Sequence, residues 1–241
     1  MQQIVHTLRT GGDKNFDDIS RVVPWLEVSA VLGIDLEAEQ IANPRAFKSH
    51  LSWDDMPRGG KYINVARDPA DAAVSIFRFF EGWLLEPGAM TVDQFVQATF
   101  LASRDYYNHL KSWWNRRNDK DVLFLFYEEM LLDPETMIRT IARFIGVKLD
   151  KLLLEITLEN SSKKFMLQHQ DRFDEGMLRK HGEEIACLPP GSTSVKVTSG
   201  STKAELGDET IEQLQQAWRD EIAGPFGFES YEEMIDVYSP Y

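Results

Sequence analysis

Residues 63–75 read Ile63-Asn64-Val65-Ala66-Arg67-Asp68-Pro69-Ala70-Asp71-Ala72-Ala73-Val74-Ser75, and this stretch decides the fold. Its first half continues Lys61-Tyr62 as a β-branched and aromatic, mostly apolar run behind Gly59-Gly60, the pattern of a strand. Asp68 then suits a helix cap. Pro69 suits the first helical position, where its missing N–H costs nothing, and Asp71 falls in the first turn. The spacing predicts a helix from there to about Trp83. A strand that runs straight into a capped helix is the building unit of an α/β domain. The junction is also a usual anion site, because helix N–H groups and the helix dipole both face it.

Outward from this unit the pattern repeats. Val122-Leu123-Phe124-Leu125-Phe126-Tyr127 is apolar throughout, as expected of a strand in a parallel sheet covered on both faces. Two helices are expected within 91–117, and others near 134–146, 150–157, 208–222 and 230–236. Alternation of strands and helices predicts an α/β fold with a central parallel sheet flanked by helices. At the front, Ile4, Val5 and Leu8 share one helical face before Gly11-Gly12. A short helix is expected around Trp25-Leu26-Glu27-Val28, another over 36–43, and a strand-like segment from Ala46 to His50. Residues 170–205, with Pro189-Pro190-Gly191 and Ser199-Gly200-Ser201, read as a long loop. No repeat or linker interrupts the chain, so 1–241 is expected to be one domain.

The composition narrows the function classes. The 241 residues are 43% hydrophobic and 27% charged, which suits a folded soluble domain and excludes a disordered chain. A net charge of −13 repels nucleic-acid phosphates but permits one local basic pocket for a small anion. No apolar run is long enough to span a membrane, and no signal peptide opens the chain. Cys187 is the only cysteine, which rules out an internal disulfide and a Cys-based zinc site, and the five histidines are scattered. No metal is expected, and a cytoplasmic address fits best.

Three segments could carry chemistry. Arg67, at the end of the first strand, can give a two-pronged grip on a phosphate, and Ser75 can add a hydroxyl. Pairing of Arg67 with Asp68 or Asp71 is the plainer alternative. In Lys48-Ser49-His50 the imidazole can act as a general base and the lysine can stabilise developing charge. A surface lysine beside a satisfied histidine explains the same residues. Tyr127 at a strand's carboxyl end can meet a ligand base, or simply close the core.

The order of these segments resembles the cytosolic-type sulfotransferase family, which uses 3′-phosphoadenosine 5′-phosphosulfate (PAPS). Residues 63–75 are similar to its [VI]-x-V-x-R-[ND]-P-x-D-x-x-V-S motif, and Lys48-Ser49-His50-Leu51 to its K-[TS]-H-L segment. Val122 to Pro134 is similar to V-L-x-L-x-Y-E-[DE]-M-x-x-D-P, and Arg21 to Glu27 to R-x-P-[FW]-[LI]-E. The resemblance implies a P-loop-NTPase-like α/β fold and transfer of a sulfuryl group from PAPS to a small-molecule hydroxyl or amine acceptor. It implies His50 as catalytic base with Lys48 beside the sulfuryl group. Arg67 and Ser75 would hold the 3′-phosphate, and Tyr127 would contact the adenine. Ser161 falls in a segment like T-S-F-x-x-M, with Lys163 where the family has an aromatic. Gly200 is what remains of R-K-G, a further cofactor contact. Trp25 and Phe79 fall where the family lines its acceptor pocket, although core packing accounts for both equally. A weak echo of the family's dimer motif near Lys203 leaves a homodimer open.

The 241 residues open on a helix where the family has a first strand and a P-K-S-G-T-T-W loop around the 5′-phosphosulfate. The resemblance therefore implies an N-terminally truncated domain lacking both. One preorganised donor is worth about 3 kcal/mol in a transition state. Weak or no turnover by these residues alone is therefore expected, with marginal stability or association through the exposed edge. A non-catalytic nucleotide-binding or interaction module is the alternative. A small-molecule kinase has less support, since no G-x-x-x-x-G-K-[ST] occurs.

Overall fold

The computed structural model describes residues 1–83, 85–86, 88–178, 180–181 and 202–238. The described elements, in chain order, are α1 (Gln2–Thr10), α2 (Ile19–Val22), β1 (Tyr62–Ala66), α3 (Pro69–Trp83), α4 (Val92–Phe95), α5 (Asp105–Trp114), β2 (Val122–Phe126), α6 (Tyr127–Leu132), α7 (Pro134–Ile145), α8 (Lys151–Asn160), α9 (Lys163–Gln168), α10 (Asp208–Trp218) and α11 (Tyr231–Tyr238). They divide into two compact units. One holds Met1–His50 with Glu129–Thr198, the other Leu51–Glu128 with Ser199–Tyr241.

In the second unit β1 and β2 pair in parallel, with Tyr62 opposite Val122 and Ala66 opposite Phe126. A parallel pair needs a crossover, and α3 to α5 supply it. The α/β reading of residues 61–83 and 122–126 holds. Asp68 Oδ1 accepts the Ala70 and Asp71 N–H groups at 2.9 and 3.0 Å, so the cap forms as its sequence dictates. α3 then buries Ala73 and Val74 completely, together with Tyr107, Trp113 and Trp114 of α5 and Ala217 and Trp218 of α10. Aromatic rings dominate this core and meet edge to face, as in Trp114 against Phe124 at 5.4 Å. α4 and α10 each run on into a wider π turn, over Val96–Leu101 and Arg219–Ala223.

In the first unit α1, α7 and α8 pack together around Ile4, Leu8, Met137, Ile138, Ile141 and Leu154. α7 is capped by Asp133, which accepts from Thr136, carries Pro134 at its first turn, and ends on Gly146 at φ 81, a left-handed position that favours glycine. A second cluster joins Ile19 and Val23 to Phe165 and Phe173.

The stretch 23–50 departs from expectation. Residues 36–43 form no helix. Instead Arg9, only 7% exposed, reaches across from α1. Its Nη1 donates to Gln40 Oε1 at 2.7 Å and to the carbonyls of Ala42 and Pro44 at 3.1 and 3.2 Å, and its Nη2 donates to Val22 O. Gln40 in turn accepts from the Ala46 N–H at 2.9 Å. Side chains thus take over the backbone partners that a helix would use. The helix expected around Trp25-Val28 is a run of turns, and the strand expected over Ala46–His50 shrinks to one parallel bridge between Trp25 and Lys48. Residues 182–201, most of the expected long loop, lie outside the described residues, and Gly200 and Cys187 with them. Among the described residues no helix is long and apolar enough to cross a membrane.

Candidate active site

The anion-binding candidate sits in the second unit, where β1 gives way to α3. Arg67 lies between the strand and the Asp68 cap, and its guanidinium lies over the Tyr127 ring, 4.8 Å from the centroid. Its Nε is buried with no hydrogen-bond partner. The two carboxylates that could have neutralised Arg67 are engaged elsewhere. Asp68 caps α3, and Asp71 Oδ1 accepts from the Thr202 and Lys203 N–H groups at 2.6 and 3.0 Å. Burial pushes the Asp68 carboxyl above its usual range, more than its helix N–H bonds and Lys203 pull it down.

The turn that presents Arg67 is fixed by two hydrogen bonds from outside it. Tyr106 donates its hydroxyl to the Arg67 carbonyl at 2.6 Å. Glu128, next to Tyr127, accepts the Asp68 N–H at 3.0 Å and the Tyr231 hydroxyl at 2.8 Å. Burial raises the pKa of Tyr106 well above the ordinary phenol value, and that of Tyr231 likewise, so both stay donors. Ser75 is half-buried in the second turn of α3. Phe79, also on α3, meets Phe80 edge to face at 6.0 Å.

The proton-transfer candidate sits in the first unit. Leu26 N–H donates to Lys48 O at 2.9 Å and Lys48 N–H to Pro24 O at 2.8 Å. This one bridge sets Trp25, Lys48 and His50 side by side. The Lys48 ammonium lies 3.8 Å above the Trp25 ring, and the His50 ring meets Trp25 edge to face at 4.9 Å. His50 is exposed, with a side-chain accessibility of 61%, as a base that must reach an acceptor should be. Glu27 accepts the His50 N–H at 2.5 Å and holds a carboxylate oxygen 3.9 Å from His50 Nδ1. Lys48 Nζ donates to Glu175 Oε1 at 2.8 Å.

The structure thus gathers Trp25, Lys48 and His50 in one unit and Arg67 and Tyr127 in the other. Ser161 closes the end of α8, its hydroxyl donating to Thr157 O at 2.6 Å. Four carboxylate and phenol partners escaped the sequence reading: Glu27, Glu128, Glu175 and Tyr106. Glu27 and Glu128 lie inside quoted motifs and could have been found there. Glu175 and Tyr106 have no local signal, since each acts on a residue far along the chain. Among the described residues no group of three or more His, Cys, Asp or Glu side chains is disposed to hold a metal.

Comparison with known proteins gives the family. The family model described as a sulfotransferase domain matches residues 1–224, and the chain belongs to that family. Human sulfotransferase 4A1 is 31% identical over 171 residues, covering 66% of this chain and 60% of that protein. Mouse sulfotransferase 1B1 is 31% identical over 166 residues, covering 64% and 55%. The chain thus spans 60% and 55% of the length of these two curated relatives. Retinol dehydratase solved with retinol and PAP superposes with a TM-score of 0.68 at 22% identity, covering 91% of this chain and 76% of that one. The same enzyme solved with androsterone and inactive cofactor PAP gives 0.63 at 25%, covering 80% and 56%.

Proposed function

We propose that this protein transfers a sulfuryl group from PAPS to a hydroxyl or amine of a small molecule, in the cytoplasm and without a metal. The observation that carries the reading is Arg67: a guanidinium at a strand end, over a tyrosine ring, with a buried N–H left unsatisfied. A buried donor without an acceptor is costly, and an incoming phosphate oxygen would relieve it. A purine bound beside that phosphate would find the Tyr127 ring. PAPS supplies the activated sulfuryl group. Arg67 and Ser75 hold its 3′-phosphate and Ser161 and Gly200 add contacts. His50 takes the proton of the attacking hydroxyl at its imidazole, the new oxygen–sulfur bond replaces the one to the 5′-phosphate, and the Lys48 ammonium stabilises negative charge as 3′-phosphoadenosine 5′-phosphate (PAP) leaves. Trp25 and Phe79 border the acceptor. The relative solved with retinol, and with androsterone, points to an apolar alcohol.

Binding is the first test, because the 241 residues contain no P-K-S-G-T-T-W-like loop for the transferring end. Turnover by these residues alone is therefore expected to be weak. Calorimetric titration with PAP should give heat, and Arg67→Ala should weaken binding about a hundredfold, the worth of a two-pronged charged contact. No heat from the unaltered chain, or no loss in the variant, refutes the reading.

A further inference from the structure

The Lys48 ammonium is placed by a residue that belongs to none of the family-like motifs. Glu175 lies 127 residues away along the chain, yet its Oε1 accepts from Lys48 Nζ at 2.8 Å, and its Oε2 accepts the Ser20 hydroxyl at 2.6 Å. The side chain of Glu175 is 2% exposed and that of Lys48 16%, so this is an ion pair withdrawn from water rather than a surface contact. The backbone there is special too. Glu175 has φ 55, in the left-handed region that a residue with a Cβ adopts only where its surroundings enforce it.

The surroundings do enforce it. Asp18, 4% exposed, accepts the Ser20 N–H on one oxygen at 2.8 Å and the Met177 N–H on the other at 3.2 Å. It thereby ties the turn carrying Glu175 to the start of α2. The Ser20 hydroxyl aims the carboxylate, and the carboxylate aims Lys48 in turn. Held at that oxygen, the ammonium sits against the Trp25 face, and the Trp25 ring meets His50.

We propose that Glu175 is a positioning residue that holds the Lys48 ammonium in place beside the base for sulfuryl transfer. This rests on the sulfotransferase reading given above. A long lysine side chain carries much rotational freedom, and a buried carboxylate removes it before substrate arrives. The Ser20 bond keeps the second oxygen satisfied, so the carboxylate stays oriented toward Lys48.

The test compares unaltered protein with Glu175→Gln, which keeps the shape and removes the charge. Native-state acetylation of Lys48, read by peptide mass spectrometry against the exposed Lys151 in the same sample, should become about tenfold faster, since a freed amine swings toward solvent. PAP affinity should stay within about twofold, because Lys48 and Ser20, the partners named here for Glu175, are not among the residues assigned to the 3′-phosphate. With PAPS and 4-nitrophenol, kcat should fall about ten- to a hundredfold while the donor KM holds, the mark of a misplaced charge-stabilising group. Unchanged Lys48 labelling overturns the proposal. So does a raised kcat, which would make Glu175 a restraint on Lys48 rather than its support. Should Glu175→Gln fail to fold, Ser20→Ala strips one bond from the same carboxylate, and a Lys48 labelling rate that does not rise at all refutes the idea. Absence of PAP heat in the unaltered protein would sink the sulfotransferase reading instead, and the labelling result would still report on the ion pair.

Discussion

The two candidate clusters are built by opposite means. Arg67 stands at a junction of regular elements, where a strand ladder, a helix cap and buried phenols fix the backbone. His50 and Lys48 stand on a segment with one bridge, held by carboxylates from distant residues. The contrast teaches where stability and chemistry reside. In the second unit the supporting polar groups hold the fold. In the first unit Glu27 and Glu175 hold the two side chains proposed to do the chemistry.

The strongest way to break that contrast is His50→Ala. Turnover should fall about 10²- to 10⁴-fold, the usual worth of a positioned base, with PAP affinity and melting temperature unchanged. A parallel loss of affinity would mean the clusters are not separable. Next comes Glu128→Ala in the second unit, which orphans the Asp68 N–H and the Tyr231 hydroxyl together. Denaturant melts should show a loss of about 3 kcal/mol, the cost of stranding two buried donors. Glu27→Ala in the first unit should cost under about 1 kcal/mol by the same melts, since the residue it supports is exposed. Equal losses would erase the distinction. Tyr231→Phe is milder, about 1 kcal/mol, because the removed hydroxyl leaves only one acceptor short.

A pH dependence is shared by both units. Burial pushes the His6 imidazole below its ordinary range, outweighing Asp13 at 3.6 Å, and pushes His109 the same way. The unfolded chain takes up a proton near pH 6.5 while the native protein still refuses it. Stability is therefore whole above about pH 6.5 and declines as pH drops below that value, by at most about 1.4 kcal/mol per pH unit for each histidine. His6→Gln should flatten part of that slope in melts between pH 7 and 5. A slope unchanged by the substitution would rule His6 out as its source.

The same contrast explains what the sequence could tell. The β1–α3 junction was legible because its logic is local: β-branched residues, a cap and a proline within a few positions of one another. Arg67 followed from it, and Tyr127 from the end of the apolar run that forms β2. Residues 36–43 misled because Arg9, from α1, captures the Gln40 side chain and the Ala42 carbonyl, and no periodicity records a partner 33 residues away. Trp25-Val28 reads as helical by propensity, yet Trp25 is drawn into its bridge with Lys48. Lys48 and His50 could be named from their segment, but Glu175 could not, because its meaning lies in a fold that brings residue 175 to residue 48.

The Arg9 clamp has an evolutionary consequence. One guanidinium closes the loop that runs from Val22 to Pro44, and its acceptors are mostly carbonyls, which every residue type carries. Beside it Val22, Pro24, Leu32, Ile34 and Ile41 line a cavity of about 280 Å³. Those side chains can diversify, and the hairpin-like arc between them can lengthen or shorten, without disturbing the anchor. The rim of that cavity is therefore cheap to remodel, and the guanidinium at position 9 is the group that keeps it closed.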